Sequence, residues 1–550
     1  MRINSFYILL TFVWFSCGKP TDNLKLKVFR YNQTEGVTSL DPAFASTQAN
    51  IRVVTQLFNG LVELDESFKI QPSLAVKWEI SEDQLCYTFY LHDSIYFADN
   101  ECFPDNKGRK LSADDFVYSF KRIVDPVTSS PGAWIFNGKV TEFNSVISDT
   151  CFKAINPNTL KIYLKKPFPP FISLLTMPYA FVIPQEAIKK YGKDFRSHPV
   201  GTGPFVLKAW DEGNSLVLLK NKNYWESFNH TKLPYMDAVS ISFIRDKNVA
   251  FLAFVQKQFE FFSGIDENSP DVLLNENGVL KGEYLGKFRF EKRPYLNTEY
   301  LGFQLDPENP ISKNHPFLKK KIRQALNYAV NRDELVNYIR YHLGKPGNCG
   351  ITPAALPSYS EDSVLGYKYN ADKVLQLLND AGFPGGNGLP EFTLYSIPEY
   401  KRIAEFIVKK WNDLGFKCKV ETNSSPAHHD LVNNGKVNLF RASWLGDYPD
   451  AESYLSIFYS RNFTPAGPNK THFKNQHYDE LYEKALVEKS DAKRFSIYRE
   501  MENILVEEAP VIVLYYDEVI RLTQNYVIGL EANAMNMLNL KKVDFVDEKK

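Results

Sequence analysis

The sequence has no excess of either charge, because 65 Lys and Arg residues balance 65 Asp and Glu residues. It also contains no basic run beyond the short Lys319-Lys320-Lys321. Proteins that bind nucleic acid carry a clear basic excess or a basic stripe on one face. The composition therefore argues against a nucleic-acid partner.

Motifs of catalysis and metal binding are missing as well. The chain contains no GxSxG, HExxH or GxxxxGK[ST] pattern, and its nine His residues are scattered apart from His428-His429-Asp430. Neighbouring side chains on a strand point to opposite faces, so we expect these three polar side chains to lie at the surface or in a loop and not to form a metal site. We expect no catalytic residue, no metal and no cofactor. An exported hydrolase is an alternative that no motif supports.

Cysteine is scarce, with six residues in the whole chain. Beyond Cys17 an odd number remains, so they cannot all pair internally, and none shows CxxC spacing. Metal and thioredoxin-like sites are therefore disfavoured, while one disulfide stays open in an exported protein. The five are Cys86, Cys102, Cys151, Cys349 and Cys418.

Only one segment is apolar over a long run, Phe6 to Phe15, and it is too short to span a bilayer as a mature helix. It fits the core of a secretory signal over residues 1–16. The small residue Ser16 directly precedes Cys17, and this pattern resembles a bacterial lipobox. Trp14 stands where that motif usually has Leu. We expect an exported protein anchored through lipid on Cys17. The alternative is an ordinary cleaved signal.

The length of 550 residues exceeds what one hydrophobic core usually serves, so two or three domains are expected. Aromatic residues reach 14%. Such side chains give contact area at low entropic cost, which suits a protein that encloses ligands, and a large core explains them equally well.

One stretch, Trp444 to Asp450, has the pattern of a ligand site. A strand-like run from Val437 to Ser443 feeds it, and Pro449 prevents the chain from continuing as a central strand. Asp447 thus falls at a strand end, where ligands of open α/β sheets bind. A buried carboxylate needs a cationic partner, and a ligand ammonium can supply it. The alternative is that Asp447 caps the following turn.

Several other patterns predict local structure. Ser112 precedes an acidic first turn and predicts a helix to about Ile123, and Asn370 predicts a helix cap. In Gly201-Thr202-Gly203-Pro204-Phe205 we expect glycines that supply positive φ in a turn. Alternating strand and helix patterns in the second half predict parallel α/β layers.

Twelve segments of the chain, in this order, resemble solute-binding protein family 5, the extracytoplasmic oligopeptide-, dipeptide- and nickel-binding receptors of ABC transporters. The resemblance covers about Leu24 to Tyr526. The segments are LDPA, FNGLVELD, PSLAVKWEIS, YTFYLHDSIYF, LSADDFVYSFKRIVDP, GTGPFVLKAW, NKNYW, KKKIRQALNYAVNRDELV, YNADKVLQLLNDAGF, WLGDYPD, HYDELYEKAL and APVIVLYY.

The resemblance implies an α/β fold of the periplasmic-binding-protein-like (type II) class, with two lobes joined by a hinge and an inserted third lobe. Lobe I is expected to take residues 17–61, 199–292 and 517–550. The inserted lobe II takes residues 62–198, and lobe III takes residues 293–516. Ligand is expected between lobes I and III.

The resemblance also implies site residues. In its peptide-binding members the carboxylate of W-x-x-D, here Asp447, binds the ligand ammonium, and Trp444 lines the pocket. Arg441 stands where relatives bind the peptide carboxylate, and an intramolecular ion pair is its alternative role. A second basic residue of those relatives is missing, with Val432 or Asn433 in its region.

Further ligand contacts are expected from the hinge and from the segment after LDPA. The segment from Pro294 to Tyr300 resembles the hinge of those relatives, so Tyr295 and Tyr300 are expected to contact ligand. Ala45-Ser46-Thr47-Gln48 is expected to offer backbone hydrogen bonds to an extended peptide through Ser46, Thr47 and Gln48. Trp134 of lobe II is a weaker candidate.

The sequence thus predicts a monomeric, exported, lipid-anchored receptor of the periplasm or cell envelope. It would bind short peptides and deliver them to the permease subunits of an ABC transporter. Two alternatives remain open: a receptor of the same fold for a nickel chelate, a sugar or another solute, and a peptide-binding chaperone or sensor without transport.

Overall fold

The structure is a computed structural model that describes residues 26–143, 146–147, 150–265 and 269–546. The predicted signal and the proposed lipidation site at Cys17 lie outside the described residues. No helix in the described ranges combines the length and apolarity that crossing a membrane requires.

Strands in the described residues number 23. In chain order they are β1 Val28–Asn32, β2 Val62–Leu64, β3 Ile70–Pro72, β4 Ala75–Ile80, β5 Cys86–Leu91, β6 Glu142–Phe143, β7 Val146–Ile147, β8 Phe152–Asn156, β9 Thr159–Tyr163, β10 Phe205–Asp211, β11 Ser215–Lys220, β12 Ser227–Phe228, β13 Thr231–Lys232, β14 Ala238–Ser242, β15 Phe261–Ser263, β16 Phe288–Phe303, β17 Lys345–Pro346, β18 Phe392–Ser396, β19 Cys418–Thr422, β20 Leu439–Leu445, β21 Val511–Gln524, β22 Val527–Ile528 and β23 Asp544–Phe545.

The α-helices of the same ranges are α1 Gln48–Leu57, α2 Ala113–Val124, α3 Phe171–Leu174, α4 Gln185–Tyr191, α5 Lys247–Val255, α6 Lys320–Tyr328, α7 Arg332–Glu334, α8 Ala371–Asp380, α9 Lys401–Asp413, α10 Ser425–Asn433, α11 Glu452–Leu455, α12 Gln476–Ala485 and α13 Asp491–Glu508.

One mixed sheet of 11 strands organises the chain, in the order β10-β11-β14-β1-β15-β21-β16-β20-β18-β19, with β17 added against β21. Strands β1, β10, β11, β14 and β15 lie in one half of this sheet, and β18, β19 and β20 lie in the other. The two long central strands, β16 and β21, pair with each other and connect the halves. Any change in the angle between the halves must therefore pass through these two strands.

The pairing of β16 with β21 is interrupted in the middle. Pro294 lies opposite Glu518 and Thr298 lies opposite Tyr516, so the register shifts between them. Pro294 has no N–H to give to a ladder. The amide of Leu296 instead donates to Ala534 O at 2.7 Å. This irregular segment carries Tyr295 out of the regular ladder and into the cleft between the halves.

The second half of the sheet is covered by helices on both faces. Because strand side chains alternate, Leu301, Phe303 and Ile512 pack into one core with α6, α8 and α9. Tyr300 and Val513 point the other way, into a core built with α11, α12 and α13. The predicted parallel layers are present where β18 pairs with β19 and β20, whereas β20 runs antiparallel to β16.

The segment between β2 and α4 forms a separate antiparallel sheet, β4-β5-β9-β8, packed against α2. Its core is continuous with that of the first half of the large sheet. The predicted start of α2 is confirmed, because Ser112 and Asp115 form a capping box there. Asn370 likewise caps α8 as predicted, accepting from the amide of Lys373.

The glycines of the segment from Gly201 to Phe205 serve a different purpose from the predicted one. Neither Gly201 nor Gly203 has positive φ. A Cβ on Gly203 would instead lie 2.3 Å from the Leu57 carbonyl carbon and 2.6 Å from Gln56 O. The amide of Gly203 donates to Leu57 O at 2.9 Å, so this loop lies directly against the end of α1.

We expect Gly203→Ala to destabilise the protein by about 1–3 kcal/mol, because the added methyl group meets backbone that cannot rotate away. Urea denaturation measures this. Gly36→Ala is the matched control, since nothing lies within 4 Å of a Cβ at Gly36 and its φ is ordinary. Equal stability of the two variants would contradict the close-approach explanation.

Candidate functional site

Asp447 lies just beyond the carboxyl end of β20, in the cleft between the two halves of the sheet. The preceding residue, Gly446, donates its amide to Leu296 O at 2.8 Å. A Cβ on Gly446 would lie 2.7 Å from the Tyr454 hydroxyl oxygen, so a side chain there would displace this hydroxyl. That hydroxyl donates to Leu296 O at 2.6 Å and accepts from the Gly446 amide at 3.2 Å. The strand end is thus fixed to the irregular part of β16.

Ser453 holds the turn that presents Asp447. Its Oγ accepts from the Asp447 amide at 3.2 Å and from Trp444 Nε1 at 3.4 Å. Trp444 therefore supports the turn from the side, and its ring packs against the core below. It does not line the cavity that Asp447 faces.

The carboxylate of Asp447 has no hydrogen-bond or ion-pair partner in the part of the chain that the structure describes. It is exposed to the water of the cleft, yet protein surrounds it closely. This desolvation, followed by the charge of Glu452, raises the pKa of Asp447 to about 6. Asp447 does not cap the following turn, because Asp450 accepts the amide of Glu452 there at 2.9 Å.

Asp447 faces a cavity of about 380 Å³. It lies between the start of α1, the segment around Tyr179 and the C-terminal segment after β21. Its apolar wall is rich in aromatic rings and methionines, groups that suit large apolar ligand parts. The residues of that wall include Phe58, Met177, Tyr179, Phe181, Met535 and Met537.

The other charged side chains that line this cavity all have partners. Lys541 Nζ lies 2.9 Å from Glu63 Oε1 and 2.8 Å from Glu226 Oε2. Asp65 accepts the amides of Ser67 and Lys69, both at 2.9 Å. Asp447 is thus the charged group of this cavity that is left for a ligand.

The segment predicted to bind a peptide backbone leads directly into α1. Thr47 caps this helix by accepting the amide of Asn50, so the helix begins at Gln48. The amides of Ala45 and Ser46 donate to Pro42 O and Phe44 O. Ser46 and Gln48 line the cavity, and the binding of a peptide backbone by this segment stays a prediction.

The two nominated tyrosines lie in different surroundings. Tyr295 lies in the cleft, where its hydroxyl accepts from Gln48 Nε2 at 3.0 Å, and burial raises its pKa to about 12. Tyr300 is 2% exposed and packs in the core, away from the cavity. Its ligand contact stays a prediction that this arrangement of the chain does not favour.

Arg441 forms an intramolecular ion pair. Its Nε and Nη2 donate to the two carboxylate oxygens of Glu299 at 2.9 and 2.6 Å, and its guanidinium lies 3.7 Å from the centre of the Tyr400 ring. Burial lowers the pKa of Arg441, but the charge of Glu299, the nearby tyrosines and the hydrogen bonds to Glu299 together outweigh burial, and the net pKa is raised. The structure thus favours the ion-pair alternative over a direct contact with a ligand carboxylate.

The inserted segment reaches the residue next to Asp447. The ring of Trp134 lies 6.3 Å from that of Tyr448, at an interplanar angle of 29°. Lys139 Nζ donates to Trp134 O at 2.8 Å, and burial lowers the pKa of Lys139. Trp134 thus supports the site from outside.

Five residues of the site were not predicted from the sequence: Ser453 and Tyr454, which position the strand end, and the cavity residues Met535, Met537 and Lys541. No motif marks any of them. The helical spacing after Pro449 could have suggested that Ser453 and Tyr454 fold back, whereas the C-terminal residues meet the cavity through contacts that span most of the chain.

The His428-His429-Asp430 trio lies on α10 and not on a strand, because this segment is helical. His428 is 4% exposed, and its Nε2 lies 2.8 Å from Arg441 O. Within the described ranges no group of three or more His, Cys, Asp or Glu side chains is arranged to hold a metal ion. Among the cysteines there, Cys86, Cys102, Cys349 and Cys418 are free thiols.

The interrupted double crossing, the cleft and the unpaired charge at a strand end define the class: a binding protein with the type II periplasmic-binding-protein fold. The unliganded open form of the periplasmic murein tripeptide-binding protein MppA has this fold. It superposes with a TM-score of 0.73 and 25% identity, over 95% of this chain and 98% of that one.

Residues 69–465 match the sequence profile described as bacterial extracellular solute-binding proteins, family 5, middle part, and the chain belongs to this family. The dipeptide-binding protein DppE of Bacillus subtilis (strain 168) is 27% identical over 533 residues, which is 94% of this chain and 92% of DppE. The periplasmic murein peptide-binding protein MppA of Escherichia coli (strain K12) is 28% identical over 518 residues, 90% and 88% of the two chains. These relatives are named as binding proteins, and the family is extracytoplasmic.

We expect Asp447→Asn to stabilise the ligand-free protein at pH 8. The pKa of Asp447 is raised in the folded state, so the folded protein binds more protons than the unfolded chain between about pH 4 and 6. This group's contribution to stability therefore falls as the pH rises through that window, and Asn removes it. Melting temperatures of protein refolded free of ligand test this.

The gain in melting temperature should shrink towards zero at pH 4. Asp362→Asn, which removes an exposed carboxylate outside the cavity, serves as the control and should show no such pH dependence. A lower melting temperature of Asp447→Asn at pH 8 would contradict an unpaired carboxylate.

Proposed function

We propose that this protein is a non-catalytic receptor that binds short peptides in the cleft and delivers them to an ABC permease. The observation that carries the proposal is the carboxylate of Asp447, which faces a cavity without a protein partner. A desolvated carboxylate costs free energy until a cation pairs with it. The α-ammonium of a peptide is a cation of the right size and hydrogen-bonding capacity.

The shape of the cavity favours a peptide over an inorganic cation or a small amine. Its volume of about 380 Å³ leaves room for a side chain beside the ammonium. The aromatic and methionine wall suits a large apolar first residue. The names of the relatives DppE and MppA, a dipeptide-binding and a murein peptide-binding protein, support the same class of ligand.

The proposal includes the division into lobes predicted from the sequence. Residues 17–61, 199–292 and 517–550 would form one lobe, residues 293–516 the other, and residues 62–198 the inserted lobe. The crossings at β16 and β21 would act as the hinge, and closure would desolvate the bound ammonium. The Trp134 and Tyr448 contact would then help to hold the inserted lobe against the site.

The proposal also includes the cellular setting: an exported monomer held at the membrane by lipid on Cys17. Its support is the sequence pattern and the extracytoplasmic family. An anchored receptor stays close to the permease it supplies.

We expect Asp447→Ala to weaken peptide binding by about thirty-fold or more, because removing one partner of a desolvated charge pair costs about 2–5 kcal/mol. N-acetylation of the peptide should weaken binding to the wild type by a similar factor. Calorimetry with a peptide released from the purified wild type measures both losses.

The two losses should not add, because both remove the same ion pair. Asp362→Asn is the control for a general effect of charge and should bind like the wild type. Unchanged affinity of Asp447→Ala, or equal binding of acetylated and free peptides, would refute the assigned role.

For the anchor, we expect cells that express the full chain to incorporate labelled palmitate into this protein and to lose the label in the Cys17→Ala variant. The variant should still be exported if the apolar segment acts as a signal. A wild-type protein that takes up no label would eliminate the lipid anchor and leave the ordinary cleaved signal.

A further inference from the structure

A second cavity, of about 390 Å³, lies on the other side of the contact between Gln48 and Tyr295. It is formed by the ends of β1 and β15, the first turns of α1 and the start of the second half of β21. Its most buried charged residue is Arg52, which is 7% exposed. No role in the site described above accounts for this cation.

Arg52 has no carboxylate partner among the described residues. Its Nε and Nη2 donate to a single neutral acceptor, Asn536 O, at 3.2 and 2.8 Å. Its Nη1 makes no hydrogen bond within the same part of the chain. Burial lowers the pKa of the Arg52 guanidinium, and the weaker influence of its neighbours does not restore it. A buried guanidinium of this kind is stabilised by an anion that reaches it.

A second buried cation strengthens the positive potential. Arg521 is 1% exposed, donates to Glu531 O at 3.2 Å and lies over the ring of Phe261. Burial and then the charge of Arg52 lower the pKa of Arg521 to about 10. The two arginines therefore lie close enough to repel each other.

Two residues of the cavity wall have unpaired side-chain oxygens that lie buried behind its surface. Gln33 and Asn536 line it, are each 4% exposed, and have side-chain oxygens without a partner in the described protein. The geometry therefore rests on Arg52, whose guanidinium lacks an ionic partner and complements the carboxylate of a peptide's last residue.

The acidic groups at this cavity do not neutralise Arg52. Asp517 pairs with Arg340 at 2.9 Å, and Glu518 accepts the amide of Gly344 at 2.9 Å. Glu35 acts on Arg52 through its charge, but it is exposed and not hydrogen-bonded to it. Lys247, also on the wall, adds a positive charge at the mouth.

The two cavities are adjacent, because one residue lines both of them. Gln48 lines both of them, and Arg52 follows it on α1 by one turn, about 6 Å. The charge of Arg52 lowers the pKa of Tyr295, and the charges of Asp447 and Tyr295 raise the pKa of Tyr454. Asp447, Tyr295 and Arg52 thus follow one another along the cleft.

We propose that Arg52 binds the C-terminal carboxylate of the peptide whose ammonium is held by Asp447, with Tyr295 and Gln48 between them. The inference rests on the proposed peptide-binding function and adds a site that replaces the carboxylate contact expected at Arg441. A protein with fixed sites for both ends selects peptides by length. Each residue of an extended peptide spans about 3.3–3.6 Å, so only a narrow range of lengths satisfies both ends.

The test uses three synthetic libraries of dipeptides to hexapeptides: with both ends free, with the C-terminus amidated, and with the N-terminus acetylated. Bound members are identified by mass spectrometry after ligand-stripped protein is gel filtered. Calorimetry with the tightest free-ended peptide then compares it with its amide. We expect amidation to weaken binding to the wild type by about tenfold or more. We expect one length to dominate.

Arg52→Gln should weaken the free acid to about the affinity of the amide and leave the amide within about twofold of its wild-type value. Arg52→Lys should retain part of the discrimination, because it keeps the charge and loses the planar fork. Arg245→Gln removes an exposed arginine outside the cavity and should change neither affinity. The affinities of the free-acid peptide and its amide for the wild type can be compared even if a variant fails to fold.

Equal binding of the free-acid peptide and its amide to the wild type overturns the inference. A preference for the free acid that persists in Arg52→Gln overturns it as well. If acetylation abolishes binding while amidation does not, the peptide function stands and the Arg52 site falls. If amidation matters and acetylation does not, the role of Asp447 falls instead. Binding of no library member overturns both.

Discussion

A single unpaired carboxylate sets the requirements for the rest of this molecule. Asp447 opens onto a cleft, and in the proposed receptor its charge would bind a cation more strongly once water is excluded from around the pair. The turn that carries it is held by Ser453 and Tyr454, and Tyr454 ties it to the irregular part of β16. The turn that presents the charge is thus attached to one of the two long strands that connect the halves of the sheet.

The remaining charges of the cleft are distributed in a consistent way. Lys541 is neutralised by two glutamates and Arg441 by Glu299, so neither is free to meet an anionic ligand. Arg52 is the exception on the other side of Tyr295. A cleft with one unpaired acid and one unpaired base at separate positions complements a zwitterion longer than a single amino acid. The distance between these two charges would therefore determine the length of ligand that binds.

Local sequence patterns predicted local structure well. Ser112 and Asn370 cap their helices as expected, and Asp447 follows a strand as its flanking residues indicated. Gly203 shows where such patterns fail. Glycine is required there because the loop contacts α1, which is distant in sequence. Likewise, the commitment of Arg441 to Glu299 depends on the register of β16 against β20. The exposure of Arg52 to a cavity depends on the C-terminal segment around Asn536, and no short motif encodes either arrangement.

The most direct test of the account is to identify what the protein carries. The chain without residues 1–17 would be expressed in the bacterial periplasm, purified without denaturation and then unfolded, and the released molecules analysed by mass spectrometry. The account predicts peptides of a narrow length range with free amino termini, and their absence from the Asp447→Ala variant. A single non-peptide solute, or peptides with blocked amino termini, would leave the fold intact and contradict the role of Asp447.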